Sequence, residues 1–451
     1  MNIGVVMYQT SFTKGQELVA QRMTRELVKQ GHQAFLITGP YHDNKPIPKY
    51  SELERSNEGY LYFQRSEFPF PLIRVNGYVS TWPPRRIMFR DFVDVLGRLS
   101  DRFGLDVIIS HSTLWNGPEE IATFVEWRRN QKIEGLDVGD VIYCYMPHYH
   151  PPDTIHYSTI ERAFRIAWNH MIFPGIFRTA DIVLCTTPIE KYQMVAMGAM
   201  AERCHIYPGG VDEEPFQKYE SKDPAGFLER HSIPPDAKLV TYVGTLEERK
   251  NPLAVVRIAE MSSKLEDVHF VIAGYPLKQQ RQVRKGAEKL RNLSYVGEIS
   301  EEDKVALMRA SYINLLLSRM EALGLTQLEF MYCGVPVITS AVGGQKWLVR
   351  DGVDGIHVSG PDDLKGAAEA IKTLANNPAL RDELSMNAMN RGKEFTMTKI
   401  TADLSSRLMS LEAKSPESPA KFTKQILKIF TGSKSQVHNK AMGRKRRWSS
   451  P

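Results

Sequence analysis

From Met1 to about Val211, short apolar runs alternate with longer amphipathic stretches: NIGVVMY, AFLIT, DVIIS, VIYCYM and DIVLCT, with QELVAQRMTRELVKQ between the first two. Near-continuous β-branched runs separated by helix-length patterns predict buried parallel strands joined by crossover helices. After the turn-rich YPGGVDEEPF a second series begins, KLVTYVG, VHFVIAG, LSYVG, YINLLL, VPVIT and GIHV, each followed by a helical pattern. That is a second α/β sheet. The division falls between Pro208 and Asp236, giving units over 1–212 and 213–411, and helical patterns near 361–376, 379–393 and 397–411 close the second. Two parallel sheets facing one another leave a cleft between the carboxyl ends of their strands, where α/β folds place ligands. The site is therefore expected to straddle the halves. The stretch 64–90 mixes aromatics, Pro and Arg without a helical or strict strand period; it reads as a long surface excursion with a small satellite core, or as an acceptor-binding or membrane-facing loop. Gly31, after the first helix, reads as a helix stop.

Composition narrows the class. The chain has 451 residues, ample for two or more domains. Cys144, Cys185, Cys204 and Cys333 are scattered with no C-x-x-C pair, which argues against a disulfide framework or a thiolate zinc site and favours a reducing, cytoplasmic compartment. The start, MNIGVVMYQT, lacks the basic leader and apolar core of a signal peptide. No run approaches the roughly 18 apolar residues of a membrane span. The expectation is a soluble protein, or one bound only at a membrane surface.

The net charge of +6 is unevenly placed. Ten basic residues and one acid lie between Ala413 and Pro451, so the body carries a slight acidic excess and is not globally a polyanion binder. The Ser/Pro/Lys-rich segment 412–451 reads as a linker and flexible tail. Within it FTKQILKIF spaces Phe422, Ile426, Ile429 and Phe430 as a short basic amphipathic helix suited to an anionic membrane surface, where each cation adds about 1 kcal/mol. A solubilising tail is the alternative. The GRKRRW cluster has no recognition fold beside it, so nucleic acid is not an expected partner.

Chemistry concentrates in Ser318-Arg-Met-Glu321-Ala-Leu-Gly324-Leu-Thr326-Gln-Leu-Glu329, followed by Gly334 and Val-Ile. The pattern is strand, turn at Gly324, helix from Leu325, Gly334 stop, strand. Glu321 falls on the turn and Glu329 two turns into the helix. The free N–H groups of Gly324, Leu325 and Thr326 offer an anion site, and the carboxylates are poised for hydroxyls.

These residues resemble the retaining, nucleotide-sugar-dependent glycosyltransferases of family 4, which have the GT-B fold. Glu321 and Glu329 match the E-x7-E motif within S-x-x-E-x-x-G-L-T-x-x-E-x-x-x-x-G-x-P-V-I. YVGTLEERKNP is similar to the family's Y-V-G-R-L-x-x-x-K-G, as are VIAGYP, LSYVGEIS and VGGQKWLVRDGVDGIHV. The resemblance extends from Met1 to about Leu411 and is strongest from Thr241 onward. It implies two Rossmann-like domains facing a central cleft, with a C-terminal helix returning to the N-terminal domain. By resemblance, Glu329 holds the donor ribose and Glu321 the transferred sugar. Lys250 and the amides at Gly324, Leu325 and Thr326 then stabilise the leaving diphosphate, where negative charge grows, and that phosphate accepts the acceptor's proton.

Three departures bear on donor binding. Thr245 stands where the family has arginine, leaving Arg249 as a candidate replacement. The first glycine pair is reduced to Lys14-Gly15, with Gly15 able to approach a phosphate. Trp347 stands where an acid often follows Gly343-Gly344. In the first half, YCYMPHYHPPD offers His148 as the histidine facing the transferred sugar. A metal at His148, His150, Asp153 and His156 is disfavoured by the Pro pair and by a fold that needs no metal or other cofactor. His111 closes the DVIIS strand and is a candidate either to line the acceptor cleft or merely to cap it. Arg85, Arg86 and Arg90 are candidates to grip an anionic acceptor, with solvated surface arginines as the plainer reading.

The expected activity is transfer of a hexose or N-acetylhexosamine from a nucleotide diphosphate sugar to a hydroxyl of a lipid-linked or polysaccharide acceptor. A nucleotide-sugar 2-epimerase of the same fold is the first alternative, disfavoured by the Gly-Leu-Thr run. A non-catalytic donor-binding protein is the second, opposed by Lys250, Glu321 and Glu329.

Overall fold

The computed structural model describes residues 1–12, 14–81, 86–133, 140–151 and 158–411. The tail 412–451, with its candidate amphipathic helix, lies outside them, as do Arg85, Asp153 and His156.

Two sheets carry the chain. The first has the strand order Cys204–Ile206, Ile182–Cys185, Ile142–Met146, Val107–His111, Asn2–Met7, Gln33–Thr38, Leu72–Val75, Tyr60–Phe63. Neighbours are parallel except the last strand, which runs against Leu72–Val75. Every residue of Val107–His111 and Ile142–Met146 is buried, as strands covered by helices on both faces must be. The second sheet is wholly parallel, in the order Leu293–Gly297, Val268–Ala273, Lys238–Val243, Ser311–Leu316, Val337–Thr339, Gly355–His357. The apolar runs read from the sequence are these strands.

Strand order reverses at Asn2–Met7 beside Val107–His111 in one sheet, and at Lys238–Val243 beside Ser311–Leu316 in the other. Crevices for ligands open at such reversals. The loops after Met7, His111, Val243 and Leu316 therefore define where chemistry can happen.

The helix Met397–Ser410 crosses back to the first unit. Met397, Leu404 and Leu408 are buried in the cluster that holds Ile3, Val5 and Leu27, and Tyr207 Oη and Thr401 Oγ1 are 3.0 Å apart. The helices Glu213–Lys218 and Ala225–Arg230 pack instead with the second unit, through Phe216 and Phe227. Gly31 has φ of +89° and ends the helix Gly15–Lys29.

The stretch 64–90 is not the surface excursion its pattern predicts. Leu72–Val75 is a fully buried strand of the main sheet, and Arg86–Phe89, also buried throughout, forms a hairpin with Gly77–Ser80. An arginine in each strand hides the strand period. Arg74 is 2% exposed, and its guanidinium donates to the carbonyls of Gly39 and Tyr41 at 3.0 and 3.2 Å.

No helix among the described residues is long and apolar enough to cross a membrane.

Candidate functional site

The second unit brings its predicted residues together. Glu321 follows the strand Ser311–Leu316 and is 7% exposed; its carboxylate accepts from Ser318 Oγ at 2.9 Å and is ion-paired with Lys250 Nζ. Burial alone would raise this carboxyl. The charges of Lys250 and Arg249 and the bonds from Lys250 and Ser318 outweigh that and hold it below the ordinary value. Gly324, at φ of +100°, makes the turn into the helix Leu325–Tyr332, and a Cβ there would meet Gln327 Oε1 at 2.8 Å. The first-turn amides of that helix have no intrahelical partner.

Glu329, two turns on, is 5% exposed and held by two cations at 3.1 Å: Arg22 Nη2 from the first unit and Lys304 Nζ from the helix Glu301–Ala310. Burial pushes it up, but Lys304 and Arg22 hold it below the usual glutamate range. Both carboxylates are thus kept ionised inside a nearly dry setting.

Thr245 is too short to act as the arginine it replaces. Its hydroxyl donates to Glu247 Oε1 at 2.9 Å, the oxygen that also takes Arg249 Nη2 at 2.6 Å. Arg249 is nevertheless near enough for its charge to act on both Glu321 and His150.

In the first unit Gly15 opens the helix Gly15–Lys29, and a Cβ on it would lie 3.8 Å from Leu325 Cδ1. The amino ends of two helices, one from each unit, therefore lie close together. The first unit also supplies the histidines. His148, 5% exposed with φ of +48°, lines a cavity of about 390 Å³ together with His150. Its Nε2 shares a hydrogen bond of 3.0 Å with His111 Nδ1. His111 is fully buried behind it, is not on the cavity wall, and has no partner for Nε2. Of the two expectations for His111, its burial agrees with a residue that caps the strand: the Ser110–His111 end is covered, and its ring meets that of His148. Burial depresses all three rings, His111 to about 3 and His150 to about 4, with the cations Arg249, Arg165 and Lys250 adding to the effect on His150. They are neutral imidazoles at neutral pH.

Arg86 is no solvated surface arginine either. It is 8% exposed, on the cavity wall, with its guanidinium 5.0 Å from the ring centre of Phe164 and 5.5 Å from that of Trp168. Arg90 lies over Tyr78 at 4.9 Å.

Sequence reasoning missed Arg22 and Lys304, whose partner Glu329 lies 307 and 25 positions away. It also passed over Gly343 and Gly344 as site residues. Gly344 N donates to Glu321 O at 3.1 Å, and a Cβ on either glycine would come within about 2 Å of the carbonyls of Glu321 and Ala322. The glycine pair lets backbone press against the Glu321 turn and fix it, and the double glycine was the available signal. Trp347, in the place of the expected acid, packs on Phe395 and Arg391. Among the described residues no group of three or more His, Cys, Asp or Glu side chains is placed to hold a metal ion.

Comparison with known proteins gives the family. The family described as Glycosyl transferases group 1 matches residues 227–391, and Glycosyltransferase Family 4 matches residues 13–215. The chain belongs to these glycosyltransferases. The glycosyltransferase is 26% identical over 302 residues to D-inositol 3-phosphate glycosyltransferase of Thermomonospora curvata, covering 63% of this chain and 64% of that one. It is 30% identical over 251 residues to the protein of that name from Mycolicibacterium smegmatis, covering 54% and 56%. The matches thus span little more than half to about two thirds of these curated relatives. Sucrose-phosphate synthase from Thermosynechococcus elongatus superposes with a TM-score of 0.65 at 20% identity, over 91% of this chain and 98% of that one. Anabaena Alr3699/HepE, solved in complex with UDP, gives 0.64 at 16%, over 91% and 100%. These likenesses are of fold, and the fold is GT-B.

Proposed function

We propose that this glycosyltransferase moves a hexose or N-acetylhexosamine from a nucleoside diphosphate sugar to a hydroxyl acceptor, with retention at the anomeric carbon. The proposed acceptor is a lipid-linked or cell-envelope glycan. The observation that carries the reading is the nearness of two helix amino ends, one from each unit, to the Lys250–Glu321 pair and the buried, cation-held Glu329.

In this reading the donor ribose hydroxyls donate to Glu329, which is ionised and accepts only. Glu321 takes hydroxyls of the transferred sugar. Lys250, Arg249 and the amides of Leu325 and Thr326 face the diphosphate, with Gly15 admitting close approach from the other side; Thr245 lines the same loop. As the glycosidic bond to the diphosphate breaks, negative charge grows on the leaving phosphate where these donors already point. The same phosphate takes the proton of the attacking hydroxyl on that face, so no protein base is required. Neutral His148 can offer a hydrogen bond to the sugar without adding charge beside a cationic transition state.

Incubation of the full chain with labelled uridine and guanosine diphosphate sugars and a membrane lipid extract tests this. Label entering an acceptor with the donor's anomeric configuration, read by NMR, is the expected result. An inverted product refutes retention, and epimerised donor without transfer refutes the transferase reading.

A further inference from the structure

Three residues that line the first-unit cavity, Ser112, Leu114 and His148, have left-handed backbone at φ of +73°, +64° and +48° although none is glycine. Such conformations persist only where the surroundings over-determine them. His148 is the one of the three that the proposed reaction uses. Its ring is held from behind by the 3.0 Å bond with His111. Its backbone needs a hold of its own, and Pro147 before it has no N–H to supply one.

That hold comes from Glu190, a buried residue in the first turn of the helix Pro188–Ala196. Its Oε1 accepts from the amide of Tyr149, the residue after His148, and its Oε2 from the amide of Thr186, both at 2.6 Å. One carboxylate thus ties together the loops that follow two paired strands, Ile142–Met146 and Ile182–Cys185. Tyr149 is anchored at its other end as well, since its Oη accepts from Asn169 Nδ2 at 3.2 Å.

Helix capping accounts for only half of this arrangement. Thr187 and Glu190 have the Thr-x-x-Glu spacing of a capping box, and Thr187 Oγ1 accepts from Glu190 N at 3.1 Å. In such a box the acidic side chain reaches back to the start of its own helix, as Oε2 does at Thr186, and a glutamine serves as well as a glutamate. Oε1 has no part in it. That oxygen crosses 41 positions to the histidine loop. Burying a carboxylate is costly unless its oxygens are bonded, and two acceptor oxygens on one side chain are what two separate amides require.

We infer that Glu190 is a positioning residue for the transfer, holding the Pro147–Tyr149 turn so that His148 keeps its left-handed backbone and its ring stays at the cavity wall. Without the bond at Tyr149 N, the His148 backbone is free to relax to the commoner right-handed region, and the ring moves with it. The inference rests on the transferase reading above, in which His148 meets the sugar, and adds the group that sets where His148 stands.

The test compares Glu190→Gln with the parent in the full chain. The amide keeps the shape and one acceptor, so it can still cap the helix, but it turns an N–H toward one of the two amides that the carboxylate served. Transfer is followed with the labelled uridine or guanosine diphosphate sugar and the membrane lipid extract. The place of His148 is read from the NMR signals of ¹³C-labelled histidine, its own signal being the one lost in His148→Ala. The expected result is a shifted His148 signal and a fall of about tenfold in turnover at saturating donor, with affinity for UDP or GDP unchanged by calorimetry. In the His148→Ala background the same substitution costs less than about twofold, because a residue that acts through His148 has nothing left to position. Thr187→Val removes the cap hydroxyl from the same helix end and is expected to lower stability without lowering turnover. An unmoved His148 signal, a turnover loss as large in the His148→Ala background as in the parent, or Thr187→Val as impaired as Glu190→Gln overturns the inference. His148→Ala with undiminished turnover overturns it too. If circular dichroism shows that Glu190→Gln does not fold, Glu190→Asp, which keeps the charge and shortens the reach, decides by the same readouts. Failure of the transferase reading is seen separately, as absence of label transfer by the unsubstituted chain, and the His148 signal then still decides whether Glu190 holds that residue.

Discussion

Glu329→Gln probes the donor site most directly, because shape is kept and only charge is lost. In the structure the carboxylate is 5% exposed and shared by Arg22 and Lys304, each at 3.1 Å. Severing a fully buried pair costs about 3–5 kcal/mol. That figure is reduced here, since Arg22 keeps Asp212 at 3.8 Å and the Lys304 side chain is 22% exposed. A loss of about 2 kcal/mol in folding stability is expected. The sign with pH follows from the depressed carboxyl. Its contribution is complete above the unfolded glutamate value, about 4.3, and is lost as pH falls through the lower folded value. The stability gap between the parent and Glu329→Gln therefore closes on acidification. For the ligand, a hydrogen bond to a charged acceptor is worth about 1.5–3 kcal/mol and the amide retains roughly half, so nucleotide affinity falls about tenfold. Calorimetry with the nucleoside diphosphate, and with inorganic pyrophosphate as the ribose-free control, reads this. An unchanged dissociation constant, or an equal loss for pyrophosphate, refutes the placement of Glu329 on the ribose.

Three further substitutions separate roles within the cleft. Glu321→Ala is expected to cut transfer by about 10²–10³ while nucleotide binding, measured by calorimetry, stays largely intact; equal loss of both removes Glu321 from the sugar. Lys250→Met depresses turnover and releases Glu321 to the upward pull of burial, so the acid limb of the pH–rate profile moves to higher pH; a limb that stays in place shows that the Glu321 carboxyl does not govern it. His111→Ala removes the 3.0 Å bond that fixes His148, and one buried neutral hydrogen bond of about 1 kcal/mol corresponds to a fall in kcat of about fivefold. Acceptor KM should not move, because His111 is off the cavity wall; a raised KM with unchanged kcat restores the direct acceptor role.

The parallel strands were legible because burial on both faces forces continuous apolar runs, and Glu321 and Glu329 because a glycine-marked turn sets them at fixed spacing. Leu72–Val75 escaped because Arg74 stands at a buried position with its charge met by Glu67 at 3.2 Å and by the carbonyls of Gly39 and Tyr41, a compensation that the local pattern does not report. Arg22 was hidden for a related reason. On the helix Gly15–Lys29 it looks like any polar-face arginine, and only the apposition of the two units puts Glu329 beside it. His111 and His148 were both noticed, but the order in which they stand relative to the cleft depends on which ring the strand end covers. Local pattern reports periodicity and turns; it does not report what the second unit brings to the first.

The loss of arginine at Thr245 can be weighed against the rest of the site. Lys250 is tied to Glu321, and Arg249 to Glu247, so these four side chains sum to no net charge before a donor arrives. A diphosphate entering on the proposed reading must share both cations with carboxylates already in place, which is a weaker attraction than a third, free guanidinium would give. What distinguishes this cleft is the apposition of helix amino ends at Gly15 and Leu325. Each such end is equivalent to about half a positive charge, and it is contributed by amides that are fixed in place and already unpaired. Two of them supply about the charge of the missing arginine. Because one comes from each unit, that attraction is complete only while the units stand together, as Arg22 on Glu329 and Arg25 on Glu214 at 3.3 Å hold them here. Donor affinity in this chain should thus depend on the clasp between the units more than on any one cation.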